Sequence, residues 1–139
     1  MNRYFLFSLG ALMLSVALSV LAADRMAPGQ YEIVTVADGN TDIESFCQTP
    51  EMARIANSDA KSGREYKQKT LDRFGKGHCT IKAYDIIGNT VSATIVCGKS
   101  VTTTRSTYHG DTSESEVTTT GFGKPMSVHT KAKRVGACK

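Results

Sequence analysis

The sequence has no tryptophan, only three prolines, and no two cysteines spaced as Cys-x-x-Cys. The missing pair argues against a redox dithiol or a zinc knuckle, both of which need closely spaced thiols. Leucine is nearly absent after the N-terminal run: six of the seven lie at or before Leu21, and Leu71 is the other. With few phenylalanines besides, the core is thin for its length, and thin exported domains commonly lean on disulfides. No Gly-x-Ser-x-Gly elbow occurs, so the abundant hydroxyls carry no nucleophile signature of that kind. His78, His109 and His129 share neither a helix face nor a ligand-type spacing with another donor, and no metal or other cofactor is expected. Positive charge is only in slight excess. The formal net charge of +4 falls to +3 once Arg3 is set aside, and no stacking aromatics interleave with the basic cluster from Lys124 to Lys139. Nucleic acid is therefore not an expected partner.

The N-terminus, by contrast, is full of signal. Arg3 supplies a short positive region, Tyr4 to Leu21 run apolar, and Val20-Leu21-Ala22-Ala23 offers small residues for signal peptidase before Asp24. A membrane anchor is the competing reading, because a bilayer span needs roughly 20 apolar residues. The small-residue exit and the lack of basic residues just after it favour cleavage. No cysteine lies near that site, so a lipid-anchored form is not expected. Residues 1–23 thus read as a signal peptide and 24–139 as one exported domain, periplasmic or secreted, with no membrane span after cleavage.

Past the signal the composition changes to that of strands. All sixteen threonines lie there, beside seven isoleucines and eight valines. β-Branched side chains lose χ1 freedom in helices and pack well on pleated sheets. Strands are expected at Tyr31–Ala37 and Asp42–Cys47, flanking the turn residues Asp38-Gly39-Asn40. Thr49, Pro50 and Glu51 then start one short helix, with Met52, Ile55 and Ala56 on its apolar face, ending before Gly63. The polar, basic stretch from Ser62 to Gly77 suggests a strand at Tyr66–Phe74. Further strands are expected at Cys79–Ile86, Val91–Cys97, Val101–His109, Thr112–Thr120 and Met126–Val135, with Gly88-Asn89 and Gly110-Asp111 as turns. The fold class is mainly β: a small antiparallel meander sheet, or a partly open barrel-like domain, with one short helix and two disulfides.

Cys47, Cys79, Cys97 and Cys138 allow three pairings. Strand alternation selects among them. An odd turn at Gly88-Asn89, or one bulge, sets Cys79 opposite Cys97, Ile81 opposite Ile95 and Ala83 opposite Ala93. An even loop would set that apolar face against Thr80, Lys82 and Tyr84. Cys47 and Cys138 are then left to each other.

These residues resemble a known family. Met26-x-Pro-Gly-x-Tyr31-Glu32 is followed by Phe46-Cys47-Gln-Thr-Pro50-Glu51, Cys79 and Cys97, Tyr108-x-Gly110, and Arg134-Val-Gly136-Ala-Cys138. The ordered set is similar to the exported bacterial proteins called domain of unknown function thirty-six-seventeen, whose members often have Trp where this chain has Tyr31. The resemblance implies a periplasmic or secreted location in a Gram-negative bacterium. It carries over no catalytic or binding residue.

Other candidate chemistry is sparse. Met126 and His129 suggest a copper site at first sight, but strand positions three apart face opposite ways. Glu114 and Glu116 alternate with Ser113 and Ser115, and a two-residue hairpin sets Arg105 opposite Glu116 and Thr107 opposite Glu114. The runs Thr102–Thr104 and Thr118–Thr120 read as exposed strand residues. Lys124, Lys131, Lys133, Arg134 and Lys139 cluster at the C-terminus, with His129, Lys131 and Lys133 on one face. That face is a candidate anion-binding stripe for lipopolysaccharide, an acidic polymer or an acidic partner. The plainer alternative is an edge strand whose lysines block sheet-to-sheet association. The expected function is a non-enzymatic envelope binding or accessory module whose partner is an unidentified envelope protein or an anionic surface. The alternative is a carrier of a small apolar ligand or lipid within a curved sheet, and an enzyme is the least supported reading. N-terminal sequencing of fractionated protein should find a chain beginning after Ala22 or Ala23; recovery of intact Met1 in the membrane fraction would refute cleavage.

Overall fold

The computed structural model describes residues 24–139, so the signal-peptide expectation for 1–23 lies outside the described residues. One hairpin and a five-stranded meander make one antiparallel sheet. Strand β1 (Gly29–Ala37) turns back into β2 (Asn40–Gln48), and helices α1 (Pro50–Ala56) and α2 (Ala60–Phe74) follow. Strands β3 (Cys79–Ile87), β4 (Thr90–Cys97), β5 (Ser100–Tyr108), β6 (Thr112–Thr120) and β7 (Met126–Gly136) then pair each with the next. β1 lies beside β7, so the order across the sheet is β2-β1-β7-β6-β5-β4-β3. The sheet is open, with β2 and β3 as its edges. The fold is mainly β, as expected, though with two helices rather than one.

Local chemistry sets the turns. Asp38 and Gly39 both take positive φ, 48° and 78°, the mirror-image turn whose twist suits a two-residue hairpin. At the next hairpin Gly88 and Asn89 also form a two-residue loop, since Ile87 pairs with Thr90. A bulge between Ile81 and Ala83 then restores the register that sets Cys79 opposite Cys97 and Ile81 opposite Ile95. The extra residue comes before Ala83 and shifts it, so Tyr84 faces Ala93 while Ala83 pairs with Thr94. Lys82 is the residue absorbed, and it stays exposed.

The two faces of the sheet differ sharply. Tyr31, Ile81, Ala93, Ile95 and Ala132 are buried on one face, under the helices and the N-terminal segment. Tyr31 donates its hydroxyl to Ala27 O at 2.8 Å, and burial pushes that phenol up from its ordinary pKa, with Asp111 adding to the rise. Nearer the middle of this face, hydroxyl pairs replace hydrocarbon: Thr102 with Thr119 at 3.0 Å and Ser106 with Ser115 at 2.8 Å. Thr102 and Thr104 therefore turn toward the helix side, and only Thr103 of that run is fully exposed. The other face carries Glu32, Lys131, Lys133, Glu114, Glu116 and Arg105, all exposed.

Helix α2 replaces the strand expected at Tyr66–Phe74. Asp59 caps it, accepting from Ser62 N at 2.9 Å, and the backbone and hydroxyl of Ser62 hold that carboxyl below its usual pKa. Its polarity has a structural cause, because it contributes few apolar contacts. Gly63 is buried against Tyr84, where an added Cβ would lie 2.6 Å from the phenol oxygen. Gln68 reaches the edge of β3, donating to Cys79 O and accepting from Ile81 N, both at 3.0 Å, and Arg64 donates to Ile81 O at 3.0 Å. The Gln68 carboxamide thus does for β3 what a neighbouring strand would do.

Both expected disulfides are present. Cys79–Cys97 joins directly paired residues at a Cα separation of 4.2 Å. Cys47–Cys138 crosses over β1: Gln30 pairs with Cys47 on one side and with Gly136 on the other. Its Cα separation is 5.4 Å over 91 residues of chain, against 18 for the hairpin bridge. Loop entropy gives about 4.5 kcal/mol for the long bridge and about 3 kcal/mol for the short one. Urea unfolding of the Cys47→Ala/Cys138→Ala protein should therefore show the larger loss, compared with Cys79→Ala/Cys97→Ala. Equal losses would mean that the unfolded chain does not feel loop length.

Candidate functional site: the open face of the sheet

The helices leave one face of the sheet uncovered, and the candidate anion-binding residues lie on it. His129, Lys131 and Lys133 alternate along β7 with Val128, Thr130 and Ala132, so the three point to one side and are exposed. β7 is not an edge strand. It lies between β1 and β6, so its lysines do not guard a free edge, which corrects the plainer reading of this basic stretch.

The interior position gives each basic group acidic neighbours. Lys131 pairs directly with Glu114, Nζ to Oε1 at 3.2 Å, with the two side chains 75% and 64% exposed. His129 lies opposite Glu116, and Lys133 lies opposite Glu32. Arg105 in turn faces Glu116, and Thr107 faces Glu114, as a two-residue hairpin at Gly110-Asp111 requires. Positive and negative groups therefore alternate across β5, β6, β7 and β1. Val34 and Val36 give the same face a small apolar margin beside Ile43 of β2. The depressions along this face are lined by these charged groups together with threonine and serine, and they open to solvent.

Among the described residues, no group of three or more His, Cys, Asp or Glu stands close enough to hold a metal ion. His78 sits beside Cys79 at the start of the edge strand β3, His109 at the β5–β6 turn and His129 on β7 opposite Glu116, so no two share a strand. Met126 and His129 face opposite ways, since Met126 aligns with Thr119 on the helix side and His129 with Glu116 on the open side. One Ser-x-x-Lys spacing, Ser58 to Lys61, does occur. Its serine donates to Ile55 O at 2.7 Å, a helix-end contact, and Lys61 is exposed. The shifted groups lie elsewhere. Burial lowers the Lys67 ammonium and raises the Tyr84 phenol, both near the interface of α2 with the sheet.

Sequence reasoning missed the polar clasp at the N-terminus. The Arg25 guanidinium donates to Ala56 O at 3.0 and 3.1 Å and to Ser58 O at 2.5 Å. Asn57 accepts from Met26 N at 2.9 Å and donates to Met26 O at 2.8 Å. Arg134 donates to Pro28 O at 2.8 Å. These side chains fasten backbone carbonyls, a use with no local sequence signature.

A family model described as "Protein of unknown function (DUF3617)" matches residues 26–138, a span holding all the motifs on which the resemblance rests. No curated protein and no solved structure gives a significant match. Given its exposure, the Lys131–Glu114 pair should add little to stability. Lys131→Met should change the unfolding free energy by less than about 1 kcal/mol in urea titration; a much larger loss would show that the pair holds the sheet together.

Proposed function

The chain belongs to the family described as protein of unknown function (DUF3617), and from that footing we propose an exported, non-enzymatic binding or accessory module of the cell envelope. The observation that carries the proposal is the division of the sheet. One face is spent on packing the helices, while the other, across four strands, is left to solvent with alternating charges. A flat, zwitterionic surface suits a partner with its own mixed charges better than a uniformly anionic polymer, because each lysine already has a carboxylate beside it. The partner class that fits is an envelope protein bound through His129, Lys131, Lys133 and the carboxylates between them.

Two disulfides support an oxidising compartment, and the apolar N-terminal run followed by Ala22-Ala23 supports delivery to it. Periplasmic or secreted placement in a Gram-negative bacterium is part of the proposal. Among the described residues no helix is long and apolar enough to cross a membrane. The carrier alternative has less support. It calls for an enclosed apolar chamber, and the helix side of the sheet is occupied by Tyr31, Ile81, Ile95 and their neighbours.

Crosslinking mass spectrometry on the native periplasmic protein tests the proposal. Lysine-reactive crosslinks from Lys131 or Lys133 to one envelope protein, lost when Glu114 and Glu116 are both changed to Lys, are the expected result. Recovery of the protein only from the cytoplasm would overturn the location. A tightly held lipid in the purified protein would move the reading to the carrier.

A further inference from the structure

At one end of the sheet, three connections carry the most exposed aromatic side chains among the described residues, together with cations that make no ion pair there. The ladder Cys79–Cys97, Cys97–Ser100, Val101–Thr120 and Thr119–Met126 brings the α2–β3 connection, the β4–β5 turn and the β6–β7 turn to a single rim. Contacts confirm that they adjoin. Gly75 packs against Cys79 Sγ, and Gly121 takes φ +104° beside Ser100, where a Cβ would lie 2.8 Å from the Ser100 Cα. The Cys79–Cys97 bridge ties the end of α2 to the strand that leads into the Gly98-Lys99 turn.

Phe74 is 77% exposed and Phe122 is 78% exposed, whereas Phe46, the third phenylalanine of the described chain, is 36% exposed. Both highly exposed rings sit on this rim, at the tips of separate connections: Phe74 ends α2 before Gly75, and Phe122 stands between Gly121 and Gly123. Met126, 53% exposed, begins β7 just behind Phe122. Arg73, Lys76, Lys99 and Lys124 surround them, all exposed, and among the described residues none of the four is in an ion pair. Asp72 and Asp38 are the acids nearest in sequence or strand register, so positive charge dominates. Among the other strongly exposed apolar residues, Ile43 and Ile87 are aliphatic and have no such ring of cations, and Val135, which has Lys133, Arg134 and Lys139 near it in sequence, brings no aromatic ring.

We propose that this rim docks on an anionic phospholipid surface, with Phe74 and Phe122 dipping into the interface and Arg73, Lys76, Lys99 and Lys124 meeting lipid phosphates. Exposing two phenylalanines to water is unfavourable unless something covers them. Their placement on separate short tips offers no single packed pocket of the kind a protein hot spot uses. Separate tips ringed by cations suit a fluid surface that closes around each ring and supplies negative charge everywhere. The open face of the sheet then stands away from the lipid, free for a partner. The proposal does not depend on that partner, and loss of the sheet-face crosslinks would leave it untouched.

Co-sedimentation with vesicles tests it, using protein purified from cells expressing the full-length chain, with its N-terminus sequenced. Binding is expected to vesicles of phosphatidylcholine mixed with phosphatidylglycerol, not to phosphatidylcholine alone, and to fall as salt is raised. Lys99→Gln and Lys124→Gln should each weaken it about fivefold. Phe74→Ser and Phe122→Ser should each weaken it roughly tenfold, with thermal melting unchanged as the control for folding. The lysine variants, on exposed side chains, keep the test valid should a phenylalanine variant fold poorly. Equal binding to both kinds of vesicle, or binding that survives all four substitutions, would overturn the proposal. So would no vesicle binding at low salt combined with rim-dependent crosslinks to a protein, which would assign the rim to that protein.

Discussion

The pairing of β1 with β7 joins the first strand of the domain to the last, and the placement of the β1–β2 hairpin, of Tyr31 and of the N-terminal segment depends on it. A meander from β3 to β7 forms from neighbours in sequence, each hairpin closing on its own turn. β1 must instead find a partner about a hundred residues away, at a substantial cost in loop entropy. Three devices secure it. Tyr31 is buried under the N-terminal segment, Arg134 reaches from β7 to Pro28 O, and the Cys47–Cys138 bridge passes over β1 from β2 to the tail beyond β7. Without that pairing the β1–β2 hairpin would be an isolated ribbon, which is marginal in water, and Tyr31 would lose its place.

The small core follows from the same economy. Few large side chains are available, so the helix side of the sheet is filled partly by paired hydroxyls and partly by backbone clasps from Arg25, Asn57 and Gln68. Each such contact satisfies a polar group that would otherwise be buried at a cost. The arrangement leaves nothing over for the opposite face. That face is held by strand pairing and the exposed Lys131–Glu114 pair, and its charged side chains stay in solvent.

Much of the strand plan was legible because it is written locally. Asp38-Gly39, Gly88-Asn89 and Gly110-Asp111 mark three hairpins, and alternation of Ile81 and Ile95 with polar residues predicted their pairing and the cysteine pairs, though not the shift that sets Ala83 opposite Thr94. The misses have a common cause in long-range contact. α2 read as a strand because its packing face is Gly63 and Gln68 rather than a hydrophobic stripe, and only Tyr84 and β3 explain those two residues. β7 suggested an edge because of its lysines, but their carboxylate partners, Glu32 and Glu114, belong to strands on either side. The rim was illegible for the same reason. Phe74 and Phe122 are far apart in sequence, and neither stands out until the ladder sets their connections side by side.

The Gln68 clasp also makes the two borders of the sheet unequal. β2 offers the backbone groups of Asn40–Gln48 with no element beyond it, whereas a strand approaching β3 meets α2 first, with Gln68 and Arg64 already holding Cys79 and Ile81. A ribbon that lengthens copy by copy requires every subunit to have both a giving and a receiving border. With the Cys79–Ile81 end of one border taken, β2 is the border left open along its whole length. Pairing of β2 with the β2 of a second copy has twofold symmetry and ends at two chains, so a clasp on β3 works against growth beyond a pair.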